Sequence, residues 1–227
     1  MGVLLLIRHG QASLGVADYD RLSQIGHDQA RRTGGRLAQA DLSIDRIVCG
    51  AMQRQRDTAL AILAELGIAE SRLHIDDRLD EYDHAGVLAE HTSSRISFAT
   101  ARTAQSRREL QSALDQAVAH WIARDGESGE TDSGPGETHR AFVERVRAVL
   151  DELTAAPGGT VAVSSGGVIA AMTAHVVGLP VDGWPALART MVNASITKLI
   201  SGEAGTHLLS FNDHAHLEQS RDLVTYR

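Results

Sequence analysis

The chain is poor in cysteine, in long apolar runs and in positive charge, and each shortage removes a class of explanation. Its one cysteine, Cys49, permits no intramolecular disulfide and no cysteine metal cluster. Beside Val48 it is expected to be a small buried residue. The longest apolar runs, such as Val3 to Ile7 and Val161 to Val163, are far too short to span a bilayer. The opening MGVLLLIRHG lacks a basic leader, and its apolar stretch is too short for a signal peptide, so a cytoplasmic location with no membrane partner is expected. A formal net charge of -7 argues against nucleic-acid binding, which needs a basic face. A few arginines can still make one pocket locally positive for a small anion. No repeat of fixed period is present.

What remains is an ordinary globular composition. With 227 residues, 43% of them apolar, the chain can bury one large α/β core. Val3 to Ile7 reads as a central strand buried on both faces. A helix is expected from Leu22 onward, with Ile25, Gln29/Ala30 and Leu37 at helical spacing, although Gly34-Gly35 weakens it. Asp45 to Cys49 and Leu73 to Ile75 read as short strands, and Arg54 to Leu66 as a helix stopped by Gly67. Val87 to Arg124 looks helical, its stripe of Leu110, Leu114, Ala117/Val118 and Trp121 read as a packing face. The stretch 125–137, DGESGETDSGPGE, is expected to be a solvated loop. A helix from His139 to Thr154 follows, then a strand from Thr160 to Val163. A further helix comes next, then strands at Ile196 to Ile200 and near His207 to Phe211. The helix around Met172 to Val177 is expected in the core, with packing against a second copy, a homodimer, as the alternative.

Strands alternating with helices predict a three-layer α/β/α fold with a mostly parallel central sheet. In such sheets ligands sit at the carboxyl ends of the strands. Two chemically loaded turns, RHGQAS after Ile7 and SSGG after Val163, lie at such ends and are predicted to share one pocket. Arg8-His9-Gly10 places a fixed cation and a nucleophile or base at a rigid edge, and the glycine would allow close backbone approach to a ligand. Arg54, in CGAMQRQRDTA, stands at a strand-to-helix junction where backbone N–H groups favour anions. Two guanidinium groups around one imidazole describe a site for a tetrahedral oxyanion. In RLDEYDHAG, a carboxyl group near such a pocket could hand a proton to a leaving oxygen. Glu81 is the first candidate and Asp83 the substitute. Asp213, His214 and His216 could be imagined as metal ligands, but alternation along a strand end splits them between faces.

LLLIRHGQAS, LSQIGHDQA, RQRDTA, RLDE, GPGETHRAFVERV and SSGGVI occur in the order found in the histidine phosphatase superfamily. The chain resembles that family, which includes phosphoglycerate mutase-like proteins, over most of its length. Residues 87–132 resemble its variable helical cap, inserted in a single domain over 1–227. The resemblance implies that His9 is the nucleophile and that Arg8, Arg54, Ser165 and Gly166 bind the phosphoryl group. Glu81 would be the acid, with a pKa near the working pH. Glu137, matching a Gly-Glu-Ser motif, would cap the helix that follows. Neither metal nor organic cofactor is implied, because arginines would neutralise the phosphate. Ser165 stands where the family usually has a second histidine, a charged donor to the phosphate. Losing that charge is expected to slow the reaction about ten- to a hundredfold, and His84 is a candidate to restore an imidazole. The activity implied is a phosphatase acting on a small phosphorylated metabolite. The alternatives are a phosphoglycerate mutase-like phosphotransferase, which would need cations such as Arg102, Arg107 and Arg108, and a non-catalytic phosphate or phospho-ligand binder.

Overall fold

A computed structural model describes residues 1–13, 20–40, 42–91, 103–127 and 136–226. Its elements run β1 (Gly2–Arg8), α1 (Gln24–Ala38), β2 (Arg46–Cys49), α2 (Gln53–Leu66), β3 (Leu73–Ile75), α3 (His84–His91) and α4 (Ala104–Glu127). Then come α5 (His139–Ala155), β4 (Gly158–Ser164), α6 (Gly166–Val176), α7 (Trp184–Ala188), β5 (Ile196–Gly202) and β6 (Gly205–Asp213). The strands form one sheet in the order β3-β2-β4-β1-β5-β6. The first four are mutually parallel, while β5 pairs antiparallel with both β1 and β6.

Side chains alternate across a strand, and here both faces are covered. Leu5, Ile7, Ile47, Val161 and Val163 pack against α1 and α2 through Leu37, Ile62 and Leu63. Leu4, Leu6, Val48 and Ala162 face the other way, toward Phe142, Val149 and Met172 of α5 and α6. That two-sided burial is why β1 reads as a continuous apolar run. Strands β1 and β4 are neighbours in parallel register, Arg8 opposite Ser164. Their carboxyl ends, and the two loaded turns, therefore emerge side by side. Burial pushes the Cys49 thiol up to about 12, against the opposing pull of Arg56, which leaves it an inert core group. Among the described residues no helix is long and apolar enough to cross a membrane.

The local chemistry corrects several expectations. Helix α1 runs unbroken through Gly34-Gly35. At Gly34 a Cβ would lie 2.7 Å from Glu65 Cβ and 3.1 Å from Ile62 Cα, so the missing side chain is what lets α1 lie against α2. Helix α3 starts at His84, ahead of the expected Val87, because Asp83 Oδ1 accepts from the backbone N–H groups of Ala85 and Gly86 at 3.1 and 3.0 Å. Residues 125–127, expected in a loop, extend α4, since adding a residue to an existing helix is cheap; 128–135 lie outside the described residues. The cap of α5 is Thr138, whose hydroxyl accepts from Ala141 N at 3.1 Å, not Glu137. The terminal segment closes on α1: Leu217 and Leu223 are buried with Val192 and Ala194, and His216 Nε2 lies 3.0 Å from Thr33 Oγ1.

Candidate active site

His9 follows β1 directly, and its backbone N–H donates to Ser164 O of the neighbouring strand at 2.9 Å. Its carbonyl accepts from Ala194 N at 3.2 Å and from Asn193 Nδ2 at 3.3 Å, so the residue is pinned on two sides. The ring nitrogen Nδ1 sits 2.7 Å from Gly10 O. A carbonyl can only accept, so Nδ1 carries the proton. Nε2 then presents a lone pair, and Arg54 Nε donates to it at 3.1 Å. The ring is thereby buried with Nε2 unprotonated and a guanidinium donating to it. Gly10 also serves the packing of this turn. A Cβ there would meet Gly26 O at 2.4 Å, so the glycine lets the turn lie against α1.

Arg54 is positioned by a carboxylate that the sequence reading did not single out. Asp20 Oδ1 accepts from Arg54 Nη1 at 2.5 Å while Asp20 Oδ2 accepts from Gln53 N, in the first turn of α2, at 2.8 Å. Arg8, the last residue of β1, donates from Nη1 to Met191 O. The first turn of α6 meets this set in sequence. A Cβ on Gly166 would stand 3.4 Å from Arg8 Nε, ordinary contact, so Gly166 lies directly against that guanidinium. Ser165, the N-cap position of α6, is fully buried, and its hydroxyl accepts from Gln55 Nε2 at 2.9 Å. Gln55 also donates to Leu79 O at 3.0 Å, so the amide is locked and the serine's own hydrogen is directed elsewhere.

Glu81 completes the cluster. It is buried, with Oε2 accepting from Gly167 N at 3.0 Å, and its Oε1 has no hydrogen-bond partner among the described residues. A Cβ on Gly167 would stand 2.3 Å from Oε1, so only glycine admits the carboxyl group here. His84 lies beside this acid, Nε2 at 3.8 Å from Oε2, with its ring 4.3 Å from that of Tyr82. Asp83, the substitute, is exposed and occupied in starting α3. Arg145 fixes the approach to Glu81 by donating from Nη1 to Arg78 O and Asp80 O, each at 2.8 Å. Glu137 Oε2 in turn holds Arg145 Nη2 at 2.9 Å, which explains a glutamate at that position better than capping does.

The arrangement can bind a tetrahedral anion between guanidinium groups, attack it with an imidazole and exchange a proton at a carboxyl group. Residues 4–214 match the profile of the histidine phosphatase superfamily, branch 1. The chain belongs to this superfamily. A glucosyl-3-phosphoglycerate phosphatase from Mycolicibacterium vanbaalenii is 31% identical over 207 residues, 86% of this chain and 83% of that protein. A 2,3-bisphosphoglycerate-dependent phosphoglycerate mutase from Azorhizobium caulinodans is 32% identical over 88 residues, only 36% of this chain and 43% of the mutase. The solved mycobacterial glucosyl-3-phosphoglycerate phosphatase superposes with a TM-score of 0.63 at 25% identity, covering 93% of this chain and 99% of that one.

Within the histidine phosphatase fold, the structure thus gathers His9, Arg54, Arg8, Ser165, Gly166, Glu81 and His84 at one sheet edge. Sequence reasoning missed Asp20, Gln55 and Gly167. The doubled glycine in SSGG was the signal available for Gly167, and Gln55 lies within the motif RQRDTA; Asp20 carries none, because only the fold turns it inward. Of the arginines named for a second anionic group, Arg102 lies outside the described residues and only the backbone of Arg107 is described, while Arg108 is exposed on α4. Among the described residues no three histidine, cysteine or acidic side chains are grouped to hold a metal ion.

Proposed function

We propose that the protein is a phosphoric monoester hydrolase acting through a phosphohistidine on His9, in one domain capped by α3 and α4. The observation that carries this reading is the Nδ1 contact with Gly10 O, which leaves the Nε2 lone pair beside Arg54. In the first step Nε2 attacks phosphorus and the bond from phosphorus to the ester oxygen breaks. Glu81 gives its proton to the departing alkoxide, and Arg8 and Arg54 take up the charge spread over the phosphoryl oxygens. In the second step Glu81 accepts a proton from water, whose oxygen bonds to phosphorus as the phosphorus–nitrogen bond breaks. Inorganic phosphate leaves and the imidazole is restored.

Ser165 fits this scheme as a neutral donor. Its oxygen accepts from Gln55, so its hydrogen is the group available to a phosphoryl oxygen, without the charge a histidine would bring. His84 stands by the acid and belongs to the proton path instead of replacing the missing histidine at the phosphate. A pure binder would have no use for a buried carboxyl group with one oxygen unpartnered.

The test is hydrolysis of an aryl phosphate with acid- and base-quenched samples examined for phosphoryl label. Turnover with an acid-labile, base-stable phosphoryl group is expected in the wild type, and neither in His9→Ala. Phosphate release with no label trapped on His9 would rule out the covalent intermediate.

A further inference from the structure

A cleft of about 730 Å³ opens beside this site, between α4 and α7. Arg8 is common to both: it flanks His9 on β1 and lines the cleft, next to Met191, whose carbonyl accepts from it. The walls are apolar. Leu110, Leu114, Val118 and Ile122, four residues apart along one face of α4, oppose Trp184 and Met191. The stripe read as mere packing therefore has a second surface, while Trp121 turns into the core and stacks on Tyr82 at 5.2 Å. Tyr82, next to Glu81 in the chain, also lines it.

Arg8 apart, the charges on the described lining of this cleft cancel. Beyond Arg8, its described lining contains Arg108 and Arg189 but also Asp115 and Asp182, and Arg189 Nη2 already lies 3.3 Å from Asp115 Oδ2. A second anionic group on the substrate would meet as many carboxylates as guanidinium groups. An apolar chain or ring would instead leave water for six hydrophobic walls, the usual balance of a small-molecule site. We infer that the cleft holds the alcohol portion of the substrate and selects phosphomonoesters of uncharged, apolar alcohols over sugar-acid or bisphosphate esters. This rests on the phosphatase reading for the chemistry, and on the cleft alone for the selectivity.

Binding and turnover separate the two. Ethylphosphonate and hexylphosphonate carry the same anionic head and cannot be hydrolysed, so calorimetric titration of the full chain reads the cleft without catalysis. The hexyl compound is expected to bind on the order of a hundredfold more tightly. Ala119→Asp and Ala123→Asp each put a carboxylate on an exposed position of the α4 wall, and each is expected to cut that ratio at least about tenfold. Turnover of ethyl phosphate, hexyl phosphate and glucosyl-3-phosphoglycerate should rank the hexyl ester first. Equal affinity of the two phosphonates, or preferred cleavage of the sugar-acid ester, overturns the inference and leaves the phosphatase reading standing. A tight hexylphosphonate complex with no ester cleaved upholds the cleft and overturns the phosphatase reading.

Discussion

At the scale of single residues, the site depends as much on an absent side chain as on those present. Glu81 reaches its place only because Gly167 has no Cβ: one built there would collide with Oε1 at 2.3 Å, and the same residue's N–H holds Oε2 at 3.0 Å. Gly167→Ala should therefore resemble loss of the acid. We expect kcat to fall about a hundredfold, a typical general-acid contribution, with inhibition by inorganic phosphate little changed. Steady-state kinetics beside Glu81→Gln would check it; an alanine variant with wild-type kcat would mean that Glu81 does not act from this position. His9, Arg8, Arg54 and Glu81 were legible in the sequence because their motifs are local. Asp20 was not, since its partner Arg54 is 34 residues away and the pairing exists only after α2 is placed.

At the scale of elements, adjacent glycines in α1 carry opposite consequences. Gly34 faces α2, where a Cβ would press on Glu65 and the Ile62 backbone, whereas at Gly35 nothing lies within 4 Å. Gly35→Ala should stabilise by about 1 kcal/mol, the difference in helix propensity. Gly34→Ala should destabilise by about 1–3 kcal/mol through overpacking, despite the same gain in propensity. Urea midpoints of the two variants would show it, and stabilisation by both would mean that α1 does not approach α2 this closely. Propensity alone treats the pair as one weak point, which is why the sequence reading doubted this helix. Its neighbour α2 was easier, because an apolar face and a terminal Gly67, in the left-handed conformation at φ 66°, are both written locally.

For the whole molecule, the chain's end is tied to its beginning through His216. Burial lowers the pKa of this imidazole from 6.5, while its contact with the Ala194 carbonyl opposes the shift. The unfolded chain then binds more protons than the folded one between the lowered value and about 6.5. Stability consequently rises with pH through that window and is lost on acidification. Unfolding free energy should fall from pH 7 to pH 5 more steeply in the wild type than in His216→Gln, which keeps an amide to meet Thr33 and the Ala194 carbonyl. Equal slopes in the two proteins would place the acid sensitivity elsewhere, for instance at Asp76. The hydrogen bond from Arg78 holds that carboxyl below its usual range, against a desolvation penalty, so its contribution is lost only at lower pH.

The sequence by itself determined the layered α/β class, the strand-end turns and the four motif residues that suggest phosphoryl transfer. Each is a local statement: an apolar run two faces deep, a charged turn, a helix start. Only the tertiary structure decided that Arg54 meets His9 Nε2, that Gln55 holds the Ser165 hydroxyl, and that Glu81 rests on Gly167. It also decided that the α4 stripe is a cleft wall as well as a packing face. These are contacts between residues far apart in the chain, about 45, 110 and 86 positions for Arg54–His9, Gln55–Ser165 and Gly167–Glu81. No periodicity or spacing encodes them, because they arise only when parallel strands bring their carboxyl ends to one edge.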